Sequence, residues 1–282
     1  MKYVYLSSGL FGAKVLANLD PKPDLVITQP DRKGGRGLKQ IIVTPVKQYC
    51  QKNGLIVKGW NPFPDCQMAL VADYGVIIPK DLLDRPKYGF FNIHPSLLPK
   101  YRGSTPLQSA ILNDEKITGV SIIKMDEKVD HGPIVAQEKI AISNSDTYLS
   151  LLEKTAHCGA LLFAESNRRG LFGPDLAGRL RQQDHSLATY THKFTKQDGY
   201  VPISQLIPYL TPIFKKYNLL HLLPNQAQQP ISPKELHSLI RGLSPWPGVW
   251  TKAENRVIKI VSNQNSQNIE ALEIVIDGKI YL

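Results

Sequence analysis

Over the first third of the chain, short apolar runs alternate with helix-patterned stretches: "KYVYL", "FGAKVLANL", "DLVIT", "TPVKQYCQKNG", "LIV", "MALVADYGVII" and "GFFNIHPS". Apolar runs of about four to eight residues, separated by segments with helical spacing, are the pattern of βαβ units. Such units fold into a mostly parallel sheet covered by helices. The expected architecture is therefore α/β, a Rossmann-like sheet with helices on both faces. Open sheets of this kind place ligands beyond the carboxyl ends of their strands. In "GFFNIHPS" that end carries Asn92 and His94, two positions apart and so on one face of the strand.

The pattern continues with a helix over "TPLQSAILNDEK", where Thr105 is a candidate cap and Pro106 takes the first helical position. Strands are expected at "TGVSIIKM" and "PIVAQEKIAI", followed by a long amphipathic helix that ends at Gly170. From about Leu171 to Tyr200 the periodicity fades, and a linker is expected. "SPKELHSLIRG" then reads as a helix with a capping box from Ser232 to Glu235. The alternating "GVWTKAENRVIKIVS" and "IEALEIVIDGKIYL" predict a small β-rich, OB-like barrel. The expected division is a catalytic domain at 1–182, a linker at 183–202 and a C-terminal domain at 203–282. The last of these is expected to be truncated, since the chain stops inside a strand-like run.

Lysine and arginine number 34 against 24 acids, a net charge of +10 that favours a polyanionic partner. The cysteines, Cys50, Cys66 and Cys158, are scattered and odd in number, so neither a disulfide framework nor a metal site is expected. A strand-like run follows Met1 directly, and no apolar run approaches the roughly 20 residues of a membrane span. A cytoplasmic monomer without membrane attachment is expected.

An imidazole beside a carboxamide can donate hydrogen bonds to an oxyanion, although such a pair can equally be structural. "MDEKVDHGPI" adds Asp126, Asp130 and His131 in a loop between two predicted strands, where a carboxylate could hold His94 protonated and move a proton. Ser7, Ser8 and Ser96 lie outside any G-x-S-x-G elbow, and "SSGLFGAK" is neither a dinucleotide-binding fingerprint nor a P-loop.

Residues 71–134, through "VADYGVIIP", "GFFNIHPSLLPKYRGSTPLQSAI" and "TGVSIIKMDEKVDHGPI", resemble the 10-formyltetrahydrofolate-dependent formyltransferases. The likeness to the methionyl-tRNA branch extends to residues 28–57 and to "LIRGLSPWPGVWT". The resemblance implies that Asn92, His94 and Asp130 are the catalytic trio. It places the folate at Ser96, Leu97, Leu98 and Pro99 and the pterin near Tyr74, Gly75 and Ile77, with 10-formyltetrahydrofolate as co-substrate and no metal. It implies initiator methionyl-tRNA as partner, met by Arg32, Lys33, Arg36 and Lys39 in a Gly-rich loop and by C-terminal cations including Arg241 and Lys252. Trp246 and Trp250 read as core or turn residues. A sugar-nucleotide N-formyltransferase, a formyltetrahydrofolate hydrolase and a non-catalytic RNA-binding protein are the alternatives. Two departures stand out: "SSGLF" in the first turn, and Asp73 where many relatives carry a small residue.

Overall fold

A computed structural model describes residues 2–34, 37, 39–224, 226, 228–262 and 272–281. In chain order the first elements are β1 (Tyr3–Leu6), α1 (Leu10–Asn18), β2 (Leu25–Ile27), β3 (Arg32–Gly34), β4 (Gln40–Ile42), α2 (Pro45–Asn53), β5 (Val57–Lys58), β6 (Met68–Val71), α3 (Lys80–Leu83) and β7 (Phe90–His94). They are followed by α4 (Pro106–Leu112), β8 (Ile117–Lys124), β9 (Ile134–Ala141) and α5 (Tyr148–Arg168). The C-terminal part holds α6 (Ile203–Lys216), α7 (Pro233–Leu243), β10 (Val249–Ala253), β11 (Arg256–Ser262), β12 (Leu272–Ile276) and β13 (Lys279–Tyr281).

The main sheet has seven strands in the order β5-β2-β1-β6-β7-β8-β9. The first five run parallel, while β7–β8 and β8–β9 pair antiparallel. Strand alternation sorts its side chains. Phe90 joins Val4, Leu6, Val71, Tyr74, Ile78, Leu82 and Leu83 in a core on one face. On the other, α5 lies so close that a Cβ on Gly159 would stand 2.7 Å from Ile93, and Phe163 packs on Tyr3 at 5.3 Å. Asn92 and His94 belong to the Phe90 face by the same alternation.

Contact density separates two units, residues 1–106, 117–141 and 152–192 against residues 107–116, 142–151 and 193–282. The division cuts through α4 and α5, so it is not a simple break in sequence. Residues 183–192, expected to start a linker, belong to the first unit. The second contains the open antiparallel meander β10-β11-β12-β13. Its core brings Leu206, Leu210 and Phe214 of α6 and Leu236 and Ile240 of α7 together with Ile258, Ile260, Ile274 and Ile276. Ser232 caps α7 by accepting the Glu235 N–H at 3.2 Å, as its sequence predicts. Before α4, the Thr105 hydroxyl donates to the His192 carbonyl at 2.7 Å.

"MALVADYGVII" is a strand only as far as Val71; Asp73 and Gly75 take left-handed φ of 50° and 73° and turn the chain out of the sheet. The Gly-rich loop begins and ends as the antiparallel ribbon β3–β4. Among the described residues no helix is long and apolar enough to cross a membrane.

Candidate active site

The β8–β9 connection brings Asp130 back over the end of β7. Asp130 Oδ1 accepts from Asn92 Nδ2 at 3.2 Å and faces His94 Nδ1 at 3.5 Å. Its Oδ2 accepts the Gly103 N–H at 2.8 Å. The other ring nitrogen of His94, Nε2, lies 2.9 Å from the Tyr101 carbonyl oxygen. A carbonyl only accepts, so Nε2 carries a proton, and the ring presents its two nitrogens to a carbonyl and a carboxylate. His94 is 4% exposed, and Asp130 sits at a left-handed φ of 51°, a conformation that neighbouring bonds must hold.

Those bonds come from residues that sequence patterning did not single out. Gln183 Nε2 donates to the carbonyls of Asp130 at 2.9 Å and Gly132 at 2.7 Å, while its Oε1 accepts from Arg102 Nη2 at 2.7 Å. Arg102, 1% exposed, also donates to His185 Nδ1 at 2.8 Å and to the Tyr190 hydroxyl at 3.1 Å. Because Arg can only donate, His185 Nδ1 is unprotonated in this arrangement. Partial desolvation, and then the neighbouring His131 and Arg102, hold the His185 pKa below its ordinary value. His185 stacks on His131 at 4.0 Å, and His131 Nδ1 pairs with Asp126 at 2.6 Å. Neither a buried arginine nor a glutamine in an aperiodic stretch leaves a period to read.

The expected folate residues fall into two groups. Ser96 is fully buried and donates to the Lys100 carbonyl at 2.6 Å, and Leu98 packs with Ile123 and Ile134, so both shape the loop from inside. Ser121 pins that loop, accepting the Leu98 N–H at 3.0 Å and donating to the Ser96 carbonyl at 2.7 Å. Leu97 and Pro99 are half-buried. Across the same sheet face, Tyr74 is in the core, Gly75 is exposed and Ile77 is 78% exposed.

The formyl transferase family model matches residues 16–166, and the model of its C-terminal domain matches residues 232–281. The chain belongs to the formyl transferase family. A methionyl-tRNA formyltransferase of Dictyoglomus turgidum is 32% identical over 98% of this chain and 82% of its own length. One from Carboxydothermus hydrogenoformans is 34% identical over 92% and 79%. Among solved structures, an N-formyltransferase from Helicobacter canadensis, in complex with folinic acid and dTDP-3-aminofucose, has a TM-score of 0.58 at 18% identity, covering 100% of this chain and 98% of its own. HypX from Aquifex aeolicus, in complex with tetrahydrofolic acid, has a TM-score of 0.59 at 13% identity, covering 93% of this chain and 37% of its own. These two likenesses establish the shared fold.

In this formyl transferase the expected cations differ in their surroundings. Arg32, Lys33 and Lys39 are exposed on and beside the β3–β4 ribbon, and Asp31, the acid next to them, pairs with Lys47 at 2.7 Å. Arg36 lies outside the described residues. In the second unit Lys252 is exposed, as is Lys259 on the paired strand β11. Arg241 is a correction: it is buried, and its guanidinium donates to the Asp146 carbonyl at 2.8 Å, so it braces the unit instead of meeting a phosphate. The two tryptophans also part company. Trp246 is 54% exposed, whereas Trp250 donates to the Lys196 carbonyl at 2.8 Å and packs on Tyr200.

Asp73 has a definite place in this formyl transferase. Its backbone carbonyl accepts the N–H groups of Ser8 and Gly9, and its carboxylate turns toward the start of α1, accepting from Phe11 and Gly12. A Cβ on Gly9 would stand 1.7 Å from Asp73 Oδ2, so "SSGLF" and Asp73 fit each other. Although the residue is exposed overall, its carboxyl is tucked in, and burial pushes its pKa up to about 6 against those two N–H bonds. The folded state thus holds the proton more tightly than the unfolded chain does. The stabilising contribution is complete below the ordinary aspartate value of 3.8 and is lost as pH rises through about 6. Asp73→Asn is expected to flatten the fall of Tm across that window; equal Tm slopes for parent and variant would refute the assignment.

Proposed function

We propose that this chain transfers the formyl group of 10-formyltetrahydrofolate to the α-amine of methionyl-tRNA. The observation that carries the reading is the convergence of Asn92, His94 and Gly103 on the Asp130 carboxylate. Asn92 uses one amide proton on Asp130 and directs the other at the formyl oxygen. His94 reaches that oxygen when its Nε2–H is shared with, or released from, the Tyr101 carbonyl. Together they stabilise the negative charge that grows there as the neutral amine attacks the formyl carbon. Asp130 orients His94 and takes the amine proton, through water where the distance requires it. The new bond joins the methionyl nitrogen to carbon, the bond from carbon to N10 breaks, and N10 takes up one proton, so the site gains none.

Folate binding is assigned to Tyr74, Gly75 and Ile77 and to the Ser96–Pro99 loop. No step calls for a metal. Exposed Arg32, Lys33, Lys39 and Lys252 are assigned to tRNA phosphates, where they contribute salt-dependent affinity without reading bases. The domain that holds the trio performs the chemistry, and the C-terminal unit adds affinity. Arg36, from the same basic run, is assigned to the acceptor end.

The deciding experiment supplies the purified protein with 10-formyltetrahydrofolate and charged initiator methionyl-tRNA, beside a charged elongator tRNA, an amino-sugar nucleotide and a no-acceptor control. Formyl-methionyl-tRNA should accumulate, and faster on initiator. Formylation of the sugar, or formate released without an acceptor, would move the site to another member of its chemistry. Salt-sensitive tRNA binding without turnover would make it a binding protein.

A further inference from the structure

Asp130 does not hold its own geometry. Its backbone is left-handed, and its carboxylate meets Asn92 and His94 only while the turn from Asp130 to Gly132 stays close over β7. Gln183, 5% exposed, contacts both carbonyls of that turn with one amide nitrogen. The orientation of its carboxamide is determined at both ends: carbonyls require the NH2 group on one side, and the Arg102 guanidinium requires the oxygen on the other. Arg102 is in turn fixed along its backbone, where its N–H donates to the Thr189 carbonyl at 2.8 Å and its carbonyl accepts the Thr191 N–H at 2.7 Å. The next residue, Gly103, gives its N–H to Asp130 Oδ2. Backbone and side chain of one short segment therefore grip Asp130 from two directions, and Gln183 is the bridge between them.

We propose that Gln183 is a positioning residue for formyl transfer, locking the Asp130 turn to buried Arg102 so that the Asp130 carboxylate stays aligned on Asn92 and His94. This rests on the formyl-transfer reading of the site. The residue acts through Asp130 and touches neither substrate.

Gln183→Ala is expected to lower kcat about 10- to 100-fold with both KM values within about twofold, because a catalytic group displaced by about 1 Å loses rate on this scale. In an Asp130→Asn background the same change should cost almost nothing further, whereas an independent structural effect would add in full. Histidine 15N spectra give a readout without turnover, with the His94 resonances assigned by their loss in His94→Gln. They should shift in Gln183→Ala toward their positions in Asp130→Asn. Inactivity of the parent on methionyl-tRNA would count against the substrate reading alone, since the His94 spectra still decide. Unmoved His94 resonances in a folded Gln183→Ala protein, or full additivity with Asp130→Asn, overturn the proposal.

Discussion

Alanine at His94 lowers the expected kcat for formylation by about a hundred- to a thousand-fold, with KM for both substrates within about threefold of the parent, the size associated with loss of one oxyanion donor. The basis is geometric. His94 is buried, faces the Tyr101 carbonyl through Nε2 and the Asp130 carboxylate through Nδ1, and shares its strand face with Asn92. Asn92→Ala is expected to fall in the same range. The two losses together should be smaller than their product, since both side chains meet the same Asp130 oxygen. His94→Gln separates chemistry from packing: it keeps a donor and most of the volume but lacks the ring that faces Tyr101 and Asp130 through two nitrogens. It should fold with a Tm near the parent's and still lose most of its turnover. Steady-state kinetics on charged initiator tRNA, with Tm measured alongside, decide the matter; a His94→Ala enzyme within about fivefold of parental kcat would remove this residue from the chemistry.

What the sequence conveyed was whatever carries a period or a motif. β1, β2, β6 and β7 and the helices α1, α2 and α5 follow from alternating or helical apolar spacing. The same alternation puts Asn92 and His94 on one face. The long α6 is not legible in the sequence because Pro208 and Pro212 lie inside it, and proline in a helix interior is ordinarily a breaker. Here an apolar face is buried through Leu206, Leu210, Ile213 and Phe214, and tertiary packing outweighs that local penalty. The bracing of Asp130 was hidden for a different reason: Arg102 and Gln183 are 81 residues apart and are joined only by the fold. Arg241 shows the opposite error, a cation assigned to the surface by its charge and found buried against carbonyl groups.

Gly132→Ala tests the same turn from the backbone side, and its expected effect is comparably large. A Cβ on Gly132 would stand 1.8 Å from the Lys124 carbonyl oxygen and 3.0 Å from its carbon. Both are backbone atoms, held where Lys124 N–H donates to the Pro133 carbonyl at 2.9 Å, so no side chain can swing aside. The turn must move by about an ångström or more to restore an ordinary contact, and the Gly132 carbonyl moves with it, away from Gln183 Nε2 at 2.7 Å. Overpacking of this sort destabilises by about 1–3 kcal/mol. Displacing Asp130 by about the same ångström lowers kcat about 100-fold. The two consequences can be separated. Gly178, with nothing within 4 Å of a built Cβ, is the control whose alanine variant should match the parent in both Tm and turnover. If Gly132→Ala loses stability but keeps its kcat, the turn relaxes without disturbing Asp130, and the carboxylate must then be held chiefly by Asn92, His94 and the Gly103 N–H. If kcat falls while the Gly178 control stays intact, the close approach of the turn to Lys124 is part of what aligns the site.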